Sequence, residues 1–192
     1  MRPELRPEIQ TPRLCLRPFA RTDVDAMFRL LRDREVNRFL PWFPARTRAE
    51  AEEMLRSRFL EGPGAHYALC LREESAPIGY VNLAEGPAYD LGYGLDRAHW
   101  RQGLVSEAAA AVLAEARRAG VPFVTATHDV LNPASGAVMR KIGMTYRYSY
   151  VERWQPKDIS VTFRLYQIDF APGIPTFSAY WERYPDHFVE AI

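Results

Sequence analysis

Three strand-length apolar runs, His66–Leu71, Ile78–Leu83 and Tyr89–Leu95, follow one another with only Glu73–Pro77 and Glu85-Gly86-Pro87 between them. Neither gap can hold a crossover helix, so the runs are expected to pair antiparallel, as a meander. Upstream, Arg13 to Phe19 alternates: Leu14, Leu16 and Pro18 fall on one face, Cys15, Arg17 and Phe19 on the other. This reads as a strand with both faces partly used. Thr22 is expected to cap a helix through Leu31, with Val24, Met27, Phe28 and Leu31 at helical spacing. Two prolines keep Phe39-Leu40-Pro41-Trp42-Phe43-Pro44 out of regular helix. Thr47 and Glu50 form a capping box that opens a second helix to Leu60, which Gly62-Pro63-Gly64 ends.

After the meander, Ser106 to Ala119 reads as a helix with Ala109, Val112, Leu113 and Ala116 on one face. Arg117 and Arg118 suit its C-terminal dipole, and Gly120 suits the position just past its end. Phe123–Asp129 is a strand. Asn132-Pro133 then supplies an N-cap and a first-turn proline for a helix ending at Lys141-Ile142, before Gly143. Met144–Val151 and Ile159–Asp169 are two closing strands around Gln155-Pro156-Lys157-Asp158. The order β-α-α-β-β-β-α-β-α-β-β predicts an α/β fold: a mixed, mostly antiparallel central sheet flanked by helices. Residues 1–192 are expected to form one domain, with residues 10–170 as its core and residues 1–10 as a loose lead-in. The tail, 171–192, carries Phe177, Tyr180, Trp181, Tyr184 and Phe188 and is expected to dock, because so many exposed aromatics are costly.

The charge balance, 25 basic against 24 acidic residues, gives no electrostatic reason to expect a nucleic acid or an anionic membrane as partner. No apolar run approaches the ~18 residues that span a bilayer, and residues 1–10 lack the apolar stretch of a signal peptide. Cytoplasmic residence is the default expectation. Cys15 and Cys70 both lie inside predicted strands and read as small buried thiols rather than a disulfide or metal site.

Two segments carry chemistry. From Tyr93-Gly94-Leu95 through Arg101-Gln102-Gly103-Leu104-Val105-Ser106, a strand ends, a basic turn with a glycine follows, and a helix begins. Free N–H groups and the helix dipole make such a junction an anion site, and Gly103 lets backbone approach a phosphate closely. Alone, the junction reads equally as an ordinary helix start. In the second segment, Asn132 and Ser135 lie three residues apart at a helix N-terminus, facing the same side. Asn132 caps that helix whether or not it also meets a ligand.

Together the two segments resemble the cofactor motifs of GNAT N-acetyltransferases. Trp100-x-x-Gly103-x-Val105 is similar to their pyrophosphate-binding signature, and tryptophan at its first position is common in the branch containing RimJ and RimL. Leu91-Gly92-Tyr93-x-Leu95, Ser106-Glu107-Ala108, Asn132-x-x-Ser135, Lys141-x-Gly143-Met144, Thr11-Pro12-Arg13-Leu14-x-Leu16-Arg17-Pro18 and Leu40-Pro41-Trp42 resemble the same branch. The likeness covers about residues 10–170. Val105 departs from the usual small residue, and nothing after Ala171 matches a family pattern.

The resemblance implies a GNAT fold and direct transfer of acetyl from acetyl-CoA to a primary amine, with no metal. The acceptor class it implies is a peptide N-terminal α-amine or a hydrophobic small amine. The backbone of Arg101, Gln102, Gly103, Leu104, Val105 and Ser106 is then expected to hold the pyrophosphate. The edge of Tyr93-Gly94-Leu95 is expected to pair with the pantetheine arm, Asn132 to contact pantetheine, and Ser135 to serve the leaving thiolate. For the base, Asp90 is the first candidate, His128 a second, and a water chain a third; Glu107 reads as a partner of the helix dipole. Trp42, Phe43 and Tyr150 are expected to wall the acceptor, with Phe39, Leu40, Tyr148 and Trp154 nearby. A non-catalytic acyl-CoA-binding sensor or scaffold is the alternative, and a phosphate-binding enzyme of different fold is a third, which the Asn132/Ser135 segment argues against. Monomer and homodimer are both compatible with the sequence.

Overall fold

The computed structural model describes residues 4–192. Strands β1 (Ile9–Gln10), β2 (Leu14–Pro18), β3 (Ala65–Leu71), β4 (Pro77–Leu83) and β5 (Leu91–Leu95) form an antiparallel sheet in chain order. A second antiparallel sheet takes β6 (Phe123–Asp129), β7 (Thr145–Trp154), β8 (Ile159–Asp169) and β9 (His187–Phe188) in the order β6-β8-β7-β9. The central sheet is thus two antiparallel sheets, and among the described residues parallel pairing between them is confined to one bridge, Asp90 to Thr125.

Helices α1 (Val24–Arg32) and α2 (Arg48–Met54), the latter continued by a π-helical turn at Leu55–Leu60, cover one face of the first sheet. There Met27, Leu31, Leu55 and Phe59 pack with Ala68, Cys70 and Tyr80. Helix α3 (Leu104–Arg118) covers the other face, where Leu104, Ala108, Val112 and Ala116 meet Leu14, Leu16, Leu69 and Val81. The period-2 alternation of β3 decides which residue serves which core: Tyr67 and Leu69 face α3, Ala68 and Cys70 face α1 and α2. Cys15 and Cys70 stand opposite each other across β2 and β3 as free thiols, Cys70 buried and Cys15 half-buried.

Three local readings need correction. Thr22 does not cap α1. A 3-10 turn, Arg21–Asp23, precedes the helix, and the Asp23 carboxylate accepts from the Ala20 N–H at 2.8 Å and from Arg17 at 2.7 and 2.9 Å. An ionised acceptor already paired with a guanidinium outcompetes a hydroxyl for that place. Helix α3 begins two residues before Ser106, because Gly103 at φ 76° makes its N-cap. The lead-in is not loose where it is described: Arg6 N–H donates to Glu115 at 2.7 Å, Tyr67 donates to the Arg6 carbonyl at 2.6 Å, and Leu5 and Ile9 pack on the core. Residues 1–3 of it lie outside the described residues. At Thr47 the cap does form, with the hydroxyl accepting from Glu50 N–H at 3.1 Å; the Glu50 carboxylate reaches back to Arg46 N–H at 2.7 Å, one residue before the cap.

The tail lies along the second sheet. Gln167, fully buried, accepts from Phe177 N–H and donates to the Pro175 carbonyl. Helix α5 (Ala179–Arg183) and its neighbours lay Phe177, Tyr180, Trp181 and Tyr184 over Tyr148, Tyr150 and Phe163. Strand β9 covers the outer edge of β7, which removes an open strand edge. Glu190 closes the tail, accepting from Ser149 and pairing with Arg164. That pairing holds the Glu190 carboxyl below its ordinary range. Its stabilisation is therefore present above the ordinary carboxylate range and is lost as pH falls through the lowered value. Glu190→Ala is expected to cost about 1–3 kcal/mol at pH 7 in urea unfolding, and less at pH 3.

Candidate active site

Hydrogen bonding along β5 decides what its outer edge offers. Asp96 N–H bonds to Ile78 and Ala84 N–H bonds to Asp90, so even-numbered residues of this strand pair with β4. By the antiparallel alternation, the backbone groups of Tyr93 and Leu95 point away from β4, toward β6. Past the Asp90–Thr125 bridge, β5 and β6 share no ladder among the described residues, which leaves a slot of unpaired strand edges between the two sheets. The Trp100 indole N–H takes the Leu95 carbonyl at 2.8 Å. Of the three residues expected to pair with pantetheine, Gly94 turns its backbone to β4, and its missing side chain makes room for the Tyr80 ring, 2.5 Å from where a Cβ would stand. Tyr93 and Leu95 carry the open edge.

One end of the slot is an anion cradle. Gly103, in the left-handed region, turns the chain into α3 so that the first-turn N–H groups of Leu104, Val105 and Ser106 are free of intrahelical partners. A Cβ at Gly103 would lie 3.6 Å from Lys141 Nζ and 3.7 Å from Arg13 Nη2. Two cations therefore flank the turn, besides the exposed Arg101, which itself holds φ 62°. Glu107 positions one of them: it accepts from Thr11 Oγ1 at 2.6 Å, Arg13 N–H at 2.9 Å and Arg13 Nε at 2.7 Å, while Arg13 Nη1 donates to the Gln102 carbonyl at 2.9 Å. Partial burial raises the Glu107 carboxyl, but these hydrogen bonds outweigh it and the net shift is downward. Gln102 points elsewhere, donating to Ala98 at 3.2 Å, and Leu104 is core. The donor set fits a pyrophosphate: backbone N–H groups at a helix start with two guanidinium or ammonium groups beside them. Sequence reasoning missed Arg13 and Lys141 as contributors, because the turn that brings them together joins three distant segments.

At the root of the slot sits Asp90. Burial pushes its carboxyl up to about 7, against the opposing effect of a 3.4 Å hydrogen bond from Thr125 Oγ1. On the α4 (Pro133–Lys141) side, Asn132 caps the helix by accepting from Ser135 N–H at 3.4 Å. The Ser135 hydroxyl lies 2.9 Å from the Tyr93 hydroxyl, a contact that crosses between β5 and α4. Asp90 acts on the Tyr93 phenol, so Asp90, Tyr93 and Ser135 form one electrostatic neighbourhood. His128 is not a surface histidine. It is buried under α4, with Nε2 unpartnered 2.6 Å from where a Gly136 Cβ would stand and Nδ1 on the Asp129 carbonyl, which takes it out of contention as a base open to an amine.

The three acceptor candidates do not come together. Trp42 is locked into the α1–α2 layer, its indole N–H on Asn37 Oδ1 at 2.8 Å and its ring under the Arg58 guanidinium. Phe43 is 57% exposed on an open groove of about 620 Å³ formed within residues 43–54, with no lining residue from the slot. Tyr150 is buried, stacked on Tyr184 at 4.9 Å and 10°, and packed 5.0 Å from Tyr180. Both Tyr150 and Tyr180 feel the charge of Asp90. Lys157, at the β7–β8 turn, donates to the Asn37 and Arg38 carbonyls, tying that hairpin to the segment after α1. The tail's Tyr180 and Tyr184 pack on Tyr150, and no motif in the sequence marks them.

Residues 13–145 match the family model described as an acetyltransferase (GNAT) domain. The chain belongs to the GNAT acetyltransferase family. A curated relative, the uncharacterized N-acetyltransferase p20 of Bacillus licheniformis, is 28% identical over 107 residues, 52% of this chain and 60% of that protein. Among solved structures, a GNAT acetyltransferase from Bacillus anthracis superposes with a TM-score of 0.77 at 21% identity, covering 85% of this chain and 98% of that one. RimL, a ribosomal L7/L12 α-N-protein acetyltransferase in complex with coenzyme A, superposes with a TM-score of 0.71 at 18% identity over 84% of this chain and 97% of its own. GNAT enzymes use acetyl-CoA as donor, and the slot with its anion cradle suits that molecule. Among the described residues, no group of three or more His, Cys, Asp or Glu side chains is arranged to hold a metal, and no helix is long and apolar enough to cross a membrane.

Two outcomes test this geometry. Gly103→Glu, which puts a carboxylate into the cradle, is expected to abolish coenzyme A binding in calorimetry, while Lys141→Ala weakens it by about 1–2 kcal/mol, more at low salt. For Asp90 the sign is opposite to that for Glu190. Its raised value favours the neutral acid in the fold, so stability is full below about pH 4 and is lost as pH rises through about 7. Asp90→Asn is therefore expected to be more stable than wild type at pH 8, by about 1–3 kcal/mol in urea unfolding, with the difference vanishing at pH 4.

Proposed function

We propose that this chain transfers the acetyl group of acetyl-CoA to a primary amine by direct attack, with a peptide N-terminal α-amine or a hydrophobic small amine as acceptor. The observation that carries the reading is a carboxyl poised near neutrality, Asp90, at the root of a slot whose far end is an anion cradle. When bound, acetyl-CoA supplies an activated thioester. The cradle of Leu104, Val105 and Ser106 N–H groups, with Arg13 and Lys141, holds pyrophosphate. The open N–H groups of Tyr93 and Leu95 hold the arm and are available to an oxyanion. Asp90 takes the proton of the incoming ammonium, directly or through water; an α-amino group, with a pKa near ~8, asks less of such a base than an alkyl ammonium near ~10. Ser135 hydrogen-bonds the leaving thiolate.

The acceptor class rests on what surrounds Asp90. Tyr150 and Tyr180 lie within its electrostatic reach, and Glu152 engages Tyr184. A polycation needs several carboxylates when desolvated, whereas an aromatic wall with few charges suits one amine on a neutral body. The fold likeness to RimL, itself an α-N-protein acetyltransferase, supports the peptide reading. The test is thiol release from acetyl-CoA across an amine panel. Short peptides with small N-terminal residues are expected to exceed spermidine and kanamycin, the rate rising with pH through about 7 and losing that limb in Asp90→Asn. Polyamines or aminoglycosides outperforming peptides overturns the acceptor class, and thiol release with no amine in the panel overturns the activity.

A further inference from the structure

We propose that Tyr93 is a positioning residue for the leaving-group side of the reaction: its phenol orients the Ser135 hydroxyl so that Ser135 donates into the slot. The inference rests on the Ser135 assignment above and adds to Tyr93, so far a backbone contact, a task for its side chain. The Tyr93 oxygen lies 2.9 Å from Ser135 Oγ and 3.0 Å from the Ser135 carbonyl oxygen. The phenol has one proton for two acceptors. When it donates to the carbonyl, Ser135 completes the pair by donating back to Tyr93 and has no proton left for the slot. When it donates to Ser135 Oγ, the serine proton is released toward the slot.

Negative charge developing on sulfur beside Ser135 selects the second arrangement, because both O–H dipoles then point toward it and each polarises the other. The change is a rotation of two hydroxyl protons with no movement of heavy atoms. Burial, with a smaller contribution from the charge of Asp90, raises the Tyr93 phenol against the lowering effect of Ser135, so Tyr93 remains a hydrogen-bond donor and does not surrender its proton. The balance is simple. The C–N bond forms, the C–S bond breaks with its electron pair leaving on sulfur, and the amine proton passes to Asp90 or water. The thiolate is later protonated from solvent, and Tyr93 and Ser135 end as they began.

The experiment titrates coenzyme A bound to the whole protein, following thiolate ultraviolet absorbance, so it needs no acceptor. Hydrogen bonds to a charged sulfur are expected to lower the bound thiol about one unit below its value in free coenzyme A, titrated alongside. Tyr93→Phe and Ser135→Ala are each expected to restore about half a unit or more, the double variant no more than Ser135→Ala alone, with coenzyme A affinity in Tyr93→Phe within about threefold of wild type by calorimetry. Tyr93→Phe titrating as wild type while Ser135→Ala shifts overturns the proposal and leaves Ser135 assigned. A double variant equal to the sum of the singles also overturns it, since the two donors then act independently. A wild-type thiol that titrates as in free solution, or Ser135→Ala indistinguishable from wild type, removes the Ser135 reading and Tyr93 with it.

Discussion

Among the described residues one parallel bridge, Asp90 to Thr125, pairs the two antiparallel sheets, and the slot exists because the pairing stops there. Thr125 makes the stop firm: its N–H and its Oγ1 both bond to the Ala88 carbonyl, at 3.3 and 2.9 Å. Beyond that clamp β5 keeps its partner β4 and β6 keeps β8, so each strand turns an unpaired edge to the gap. Unpaired backbone edges inside a domain are costly unless something satisfies them. An extended ligand with amide groups can serve as such a partner, and the Trp100 indole already satisfies one carbonyl, that of Leu95.

The cradle is held together by charges of both signs. Glu107 has no role toward an anion; its role is to grip Arg13 and the Thr11 turn. That grip brings the N-terminal strand segment to the first turn of α3 and presents a guanidinium that would otherwise range freely on a long side chain. Lys141 arrives from the far end of α4 without a fixed partner among the described residues, so its ammonium remains available. The chain has two lysines, and Lys157, the other, is equally placed: buried enough that desolvation lowers its ammonium, it ties the β7–β8 turn to the segment after α1. Their scarcity alone said nothing of this.

The strands and their directions were legible because short gaps leave antiparallel pairing no competitor, and the α4 boundary because Asn132-Pro133 encodes its own start. The α3 start was misplaced by two residues because a glycine cap offers no side chain to recognise. For the site, motif spacing pointed to the turn at Gly103 and to Ser135, yet it could not say which way each backbone group faces. That depends on the register with β4, which sends Gly94 to Tyr80 and leaves Tyr93 and Leu95 open. Trp42 shows a related limit. An aromatic between prolines reads as a wall until Asn37 is seen to hold its indole.

The tail joins these observations. The family match ends at residue 145, and the tail's aromatic slab lies wholly beyond it. Yet Tyr180 from that slab, and Tyr150 beneath it, both feel the charge of Asp90, whose own carboxyl owes its raised value to burial. Desolvation depends on everything that excludes water, not on contact alone. A segment without a family motif therefore lies within electrostatic reach of the residue at the root of the slot. Gln167 and Glu190 anchor the tail at both ends through buried or half-buried polar contacts, which is more than hydrophobic docking requires. Such anchoring fixes where the rings lie and not merely that they lie somewhere on the sheet. The surroundings of Asp90 are in this sense drawn from both sides of the family match, and a relative with the same slot and a different tail is free to place other groups within reach of that position.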